Sequence, residues 1–436
     1  MRGFTKTTVV NPKYLKLIEW TKLISITGSA QVIIQITGFI SGLIIIRLLP
    51  TRDYALYTLA TTMIGTMVML ADAGVSTGVF SQAGKVWKDP NKLGSVLATG
   101  IGLRNRMALI CATVSTPIFF YLFYRHNISW QVSVFIVTSI LLVFNATISG
   151  TIINYPLVLW QDLKSSLVIQ VLSNVGRMFL TMALFIFPWA SLALIASYIP
   201  QTIANNKTKK KSEKYADYSQ PADPAVKKEV VSVIKKMLPN AIYYSISGQI
   251  TIWIISFYGS TTAVAQVGAL GRLAVILTIV TVLFNTLVIP RIARMSSNPS
   301  LLMTRFVQIQ ACLLILCLII MGLIWKFPTE ILWILGNNYS GLHNELFLTV
   351  MASCLSLFSA FALSFCASKG WAISPLIYIP VSIVTIFLGV VIFQISTIEG
   401  VLKYNIFTTI VQVGLFMCYT LLKISKSMKA PDVYVG

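Results

Sequence analysis

Charge, and negative charge above all, is what this sequence has little of. Asp, Glu, Lys and Arg make up only 11% of its 436 residues, less than half of the roughly 25% usual in soluble domains. With 56% hydrophobic residues and a mean hydropathy of +0.79, the chain reads as an all-α polytopic membrane protein. Carboxylates number 13 and histidines two. His126 and His343 fall in separate expected loops, and no His, Cys or carboxylate group clusters at catalytic or metal-ligand spacing, so neither acid–base catalysis nor a metal centre is indicated. Cys111, Cys312, Cys317, Cys354, Cys366 and Cys418 all lie in apolar runs without a CxxC pair and read as small core residues. A phosphate-binding G-x-x-x-x-G-K-[ST] loop is absent too. The nearest match, Gly78 to Lys85, is one residue too long and is followed by Val86 where the hydroxyl belongs, which excludes ATP hydrolysis by that device. No enzyme activity and no cofactor are expected, which leaves a transporter, a channel or a structural membrane protein.

What is there is a series of apolar runs, each near the ~20 residues that cross ~30 Å of hydrocarbon. Twelve spans are expected near 23–49, 54–83, 93–123, 130–154, 164–187, 189–205, 237–258, 263–290, 302–325, 345–368, 371–395 and 400–422. The polar head Met1 to Lys22 lacks an apolar core and a small-residue cleavage site, so no cleavable signal peptide is expected. Lys and Arg then set the orientation. The side that would hold both termini carries 25 of them and the other side only 5, Arg47, Arg52, Arg125, Lys326 and Lys403. By the positive-inside rule both termini are cytoplasmic.

The one long polar segment, Asn205 to Lys236, divides the spans six against six. This predicts an N-terminal lobe over 1–205, a basic cytoplasmic linker with a short amphipathic helix over 206–236, and a C-terminal lobe over 237–436. A weak internal repeat agrees. Arg47 to Gly102 and Ser256 to Gln310 both run from an odd-numbered span through a turn and a long apolar helix to a basic loop with an Asp-Pro or Asn-Pro step, at Pro90 and Pro299. Six being even, both lobes enter the membrane from the same side, so the pseudo-twofold between them lies along the membrane normal.

Four Arg, Arg104, Arg106, Arg177 and Arg272, fall inside spans, against one clear acid, Asp72. Charges at that depth need a partner, water or a ligand. Asp72 and Arg104 are each 12 residues from the ends of the basic turn that joins their spans, so at 1.5 Å per residue both lie ~18 Å deep and are placed to pair. Arg106, two residues on, points away from Arg104. Arg272 has no acid on its own or the preceding span and should face water or an anionic ligand; Arg177 is similar. Arg47, Arg52 and Asp53 read as anchors at the outer rim.

The stretches "RLLPTRDYALYTLA" and "LADAGVS" near the front, with "WIISFYGSTTAVAQVGALGRLAVIL" and "LVIPRIAR" in the second half, resemble polysaccharide flippases of the Wzx kind, within the multidrug/oligosaccharidyl-lipid/polysaccharide (MOP) exporter superfamily. The resemblance implies two six-helix lobes around a central cavity that opens alternately to each side. It also implies a cargo of undecaprenyl-diphosphate-linked oligosaccharide, turned across the inner membrane for O-antigen, capsule or exopolysaccharide (polysaccharide biosynthesis), and contacts with polysaccharide assembly proteins. Cavity arginines would hold the diphosphate: Arg272 first, with Arg177 and Arg104 as weaker carry-overs. Asp72 is a candidate for coupling to a proton or sodium gradient. A cation-coupled multidrug exporter of the same superfamily is the alternative, followed by a membrane polysaccharide polymerase. No nucleic-acid partner is implied, since the charges flank spans.

Overall fold

The computed structural model describes residues 12–125, 127–289, 292, 299–369, 371 and 373–429. The head residues 1–11, His126, Arg291 and Arg294 lie outside them. Among the described residues every regular element is helical, and nine helices are long and apolar enough to cross a membrane; the expected spans at 189–205, 237–258 and 263–290 lie on helices that are not among those nine.

Six passes make the N-terminal lobe: α1 (Pro12–Leu48), α2 (Thr51–Asp72) continued by α3 (Val75–Val86), α4 (Pro90–Arg125), α5 (Trp130–Ile153) with the short α6 (Tyr155–Leu159), α7 (Leu163–Thr181) and α8 (Ala190–Ser212). The C-terminal lobe repeats the plan with α9 (Pro224–Ser247) and α10 (Ile250–Tyr258) as one pass, then α11 (Thr261–Leu287) and α12 (Pro299–Lys326). A short helix α13 (Pro328–Leu335) precedes the last three passes, α14 (His343–Ser368), α15 (Pro375–Ile392) and α16 (Ile398–Lys429). In each lobe the fourth and sixth passes form the most extensive packing pair, α5 with α8 and α14 with α16, and the second pass lies against the fourth. The lobes meet chiefly where α2 crosses α11, the equivalent passes of the two halves, as a twofold along the membrane normal requires. This is the two-lobe architecture expected from the sequence.

α2 is buried from Tyr54 to Ala60 without a break. An all-round apolar helix of this kind belongs at the centre of a bundle. The seam is tight because Gly268 of α11 has no Cβ; one would collide with Thr58. Such small-residue contacts let backbones approach where lipid supplies no hydrophobic drive.

Two local departures from the sequence reading matter for function. The second span is broken directly after Asp72, where Ala73 (φ 30°) and Gly74 (φ 91°) adopt left-handed conformations. Gly74 permits this, and Met237 of α9 packs over the break, so closely that a Cβ on Gly74 would lie 2.9 Å from the Met237 side chain. The second departure concerns the polar segment. Residues 205–236, read as a linker, are largely helical: α8 runs to Ser212 and α9 starts at Pro224. The remainder, 213–223, is held against the N-terminal lobe. Asp217 N–H donates to the Pro90 carbonyl at 3.0 Å, Asp223 N–H to Thr99 Oγ1 at 2.8 Å, and Ser95 Oγ to the Pro221 carbonyl at 2.6 Å. Tyr218 shares a hydrogen bond with Ser212, and burial pushes its phenol up to about 12. The first half of α9 buries Val230 and Ile234 among Val75, Val79 and Leu97 of α3 and α4. An apolar stripe on a helix that starts at the lipid boundary is satisfied here by protein.

Candidate functional site

The seam between the lobes gathers the charges that have no carboxylate. Arg272, one of the residues singled out from the sequence, projects from α11 toward α2, where its guanidinium carbon lies 5.9 Å from the centroid of the Tyr57 ring. Its aliphatic stem crosses Gly42 of α1, with Cδ 3.5 Å from where a Cβ would stand. Arg177, from α7, reaches the same phenol, and its Nη2 donates to Tyr57 Oη at 3.3 Å. Tyr54, one turn earlier on α2 and stacked 6.2 Å from Tyr57, neighbours Arg272 as well. Two cations from different lobes therefore converge on one aromatic pair. Among the described residues neither makes an ion pair, and Arg177 Nε and Tyr54 Oη are buried without hydrogen-bond partners. Like charges brought together at low dielectric repel, and unmet buried donors cost ~1–3 kcal/mol each. The arrangement is short of an anion.

Arg104 is not part of this cluster. Its Nη2 meets Asp72 Oδ1 at 3.1 Å within the N-terminal lobe, with the Arg104 side chain only 4% exposed. Asp72 also accepts from Ser76 Oγ across the helix break, and Tyr155 Oη donates to the Ser76 carbonyl at 3.1 Å. The paired acid and base thus brace the kink between α2 and α3. Arg106 is exposed on the opposite face of α4.

A cavity of about 200 Å³ lies within the C-terminal lobe, where α9, α10, α15 and α16 meet. Tyr243, Tyr244, Tyr378 and Tyr404 supply its aromatic walls, with Asn405 and Gln412 from α16. Gln412 Nε2 donates to Tyr378 Oη at 2.9 Å. Tyr404 is fully buried, and its hydroxyl has no partner. Among the described residues no charged side chain lines the space. Hydroxyls, amides and ring faces without charge suit a neutral polyhydroxylated ligand.

At the end of the bundle that holds the α1–α2 turn the lobes touch directly. Arg47 Nε and Nη2 donate to the Ile334 and Trp333 carbonyls at 2.9 and 2.8 Å, and the guanidinium lies 4.8 Å from the Trp333 ring centroid. Those carbonyls end α13, whose negative dipole end favours a cation. Arg47 therefore latches the second lobe instead of only snorkelling. Arg52 and Asp53 tie neighbouring turns at the same end: Arg52 donates to the Asn127 carbonyl at 2.6 Å, and Asp53 accepts from Ala190 N–H at 3.3 Å.

No protein-family model and no curated protein matches the sequence. Solved structures do. An inward-facing multidrug resistance MATE family transporter of the MOP superfamily superposes with a TM-score of 0.74 at 13% identity, over 91% of this chain and 96% of the other. The fold is that of a MATE transporter. An outward-facing conformation of such a transporter matches with a TM-score of 0.62 at 14% identity, over 94% and 96%; a MATE in complex with MaD3S gives 0.62 at 13%, over the same shares. In this fold Arg272 and Arg177 both reach the seam between the two lobes, at Tyr57. The tyrosines at both sites escaped the sequence reading. Their only signal was the one-turn spacing of Tyr54 and Tyr57 and the pairing of Tyr243 with Tyr244 inside spans, and aromatic residues in spans are ordinarily core or interface anchors.

Proposed function

We propose that the protein is a flippase for undecaprenyl-diphosphate-linked oligosaccharide, moving it across the bacterial inner membrane by alternating access, with both termini cytoplasmic. The observation that carries this reading is the convergence of Arg272 and Arg177, one from each lobe, on Tyr57 without a carboxylate. A diphosphate has the charge and the oxygen geometry to accept from both guanidinium forks. The uncharged tyrosine cavity of the C-terminal lobe suits the sugar hydroxyls. Arg104 serves as the partner of Asp72, and the pair, as the acid and base of one lobe, is where proton or sodium coupling would act.

The MATE likeness favours a second reading, a cation-coupled multidrug exporter, because the matched structures are described as multidrug resistance transporters. Two unpaired arginines on the path would repel cationic drugs, and the acid within the spans, Asp72, is already paired. The deciding experiment is a deletion strain complemented with wild type, Arg272→Ala or Arg272→Lys. Loss of surface polysaccharide in the deletion, no rescue by Ala and part rescue by Lys at equal protein level support the flippase. Sensitivity to cationic drugs with intact polysaccharide establishes the exporter instead.

A further inference from the structure

Outside the lobe seam, the outward faces of α7 and α8 carry a groove that the transport reading does not use. On α7, Lys164, Val168 and Leu172 recur at intervals of four and so form one stripe, with its lysine at the basic end of the helix. On α8, Lys207, Lys210, Lys211 and Lys214 recur at three and four along the last turns and just past them, and form a facing stripe. These two stripes line a single groove of about 780 Å³. Its floor is apolar and open: Val168 is 49% and Leu172 55% exposed.

None of the five lysines forms an ion pair among the described residues. The nearby carboxylates are engaged or lie aside. Asp162 accepts from Ser165 N–H at the start of α7 and from Tyr215 Oη, and Glu213 does not line the groove. Lys211 donates to Ser165 Oγ at 3.3 Å, which fixes it across the two helices, and Lys214 stands over the Tyr215 ring. Beside the lysines, Trp160 stacks on Tyr215 at 5.3 Å and meets Trp87 edge-on at 5.0 Å. Such an aromatic cluster marks the level of lipid headgroups. Five cations at that level with bare aliphatic surface immediately below are complementary to one molecule, a phosphate on an acyl chain.

We infer that the α7/α8 groove is a binding site for an anionic phospholipid of the leaflet at the basic end, with its phosphate among Lys164, Lys207, Lys210 and Lys211 and an acyl chain along Val168 and Leu172. The site is separate from the cargo path, and a lipid seated there stiffens the packing of α7, which carries Arg177, against α8.

The full-length protein in nanodiscs of phosphatidylcholine with graded phosphatidylglycerol, read by native mass spectrometry after release, tests this. Wild type should retain phosphatidylglycerol in preference to phosphatidylcholine at least tenfold. The variant Lys164→Ala/Lys207→Ala/Lys210→Ala/Lys211→Ala should lose that preference, and the corresponding Lys→Arg variant should keep it, which separates charge from folding. Equal retention of both lipids by wild type, or unchanged preference in the Ala variant, overturns the inference. It also fails if sn-glycerol 3-phosphate competes as well as phosphatidylglycerol, since a headgroup alone would then suffice. Lysine-dependent displacement by undecaprenyl diphosphate at equimolar concentration would identify the groove as a cargo site and overturn it as a phospholipid site. None of these readouts depends on transport activity.

Discussion

Arg272 of the second lobe rests on the ring of Tyr57 in the first, 5.9 Å from its centroid, over a glycine. Gly42 is what lets the arginine stem pass. Gly42→Ala meets Cδ at an ordinary 3.5 Å, so transport should survive it. Gly42→Leu fills the path and should abolish transport as fully as Arg272→Ala at unchanged protein level. Surface polysaccharide and membrane abundance, measured together, check both.

Tyr57→Phe keeps the ring face for Arg272 and removes the hydroxyl that accepts from Arg177 and also neighbours Arg272. A hydrogen bond to a charged group is worth ~1.5–3 kcal/mol. Transport of the lipid-linked sugar in proteoliposomes should therefore fall by roughly 10- to 100-fold, and Arg177→Ala in the Phe background should add little. Independent, multiplying losses would mean that the two residues do not act on one ligand.

The Asp72–Arg104 pair makes a thermodynamic prediction. Removing one partner of a buried pair costs ~3–5 kcal/mol because the other charge is left alone. Asp72→Asn and Arg104→Gln should each lower the thermal midpoint in detergent, and the double variant should lie well above the sum of the two losses. If Asp72→Asn exports polysaccharide normally once protein level is matched, coupling does not run through this acid.

Tyr404 offers a contrast between stability and function. Its buried hydroxyl has no hydrogen-bond partner among the described residues, so Tyr404→Phe should stabilise the fold by up to ~1–3 kcal/mol. The same change removes a hydroxyl from the cavity proposed to take the sugar and should raise the KM for lipid-linked sugar. A neutral effect on KM would remove this cavity from the cargo path.

Arg47 joins the lobes at the exposed rim, where an ion–dipole latch is worth about 1 kcal/mol. Arg47→Ala should shift the population open at that end about fivefold. Labelling of a cysteine placed at Tyr54 by an impermeant maleimide, with the parent as background, measures the shift.

How much of this could be read beforehand depends on the kind of interaction. The passes were legible because each needs a long apolar run whatever its neighbours are, and α11 and α12 begin within three residues of the expected spans. The Asp72–Arg104 pair was legible because antiparallel helices joined by a turn place equal distances at equal depth. The kink at Ala73 and Gly74 was not, since the Met237 side chain that packs over it comes from 163 residues away. Nor were the neighbours of Arg272 and Arg177: a sequence shows that a cation lacks a local acid, but which aromatic it meets is decided by the docking of one lobe on the other. The segment 213–223 misled for a related reason. Its polarity suits water and suits equally well the Pro90 carbonyl and the Ser95 and Thr99 hydroxyls, with which it is hydrogen-bonded.

Because that segment is fixed, the covalent tie between the halves has almost no slack. α9 changes allegiance within six residues: Met237 packs over Gly74 of the first lobe, while Tyr243 meets Tyr378 of the second at 5.4 Å. Pro239 stands between them, inside the helix, where its ring removes a backbone hydrogen bond and lowers the cost of bending. Any rocking of one lobe against the other must therefore flex this helix at Pro239, which makes the proline a hinge and the first half of α9 a lever that belongs, mechanically, to the lobe before it in sequence.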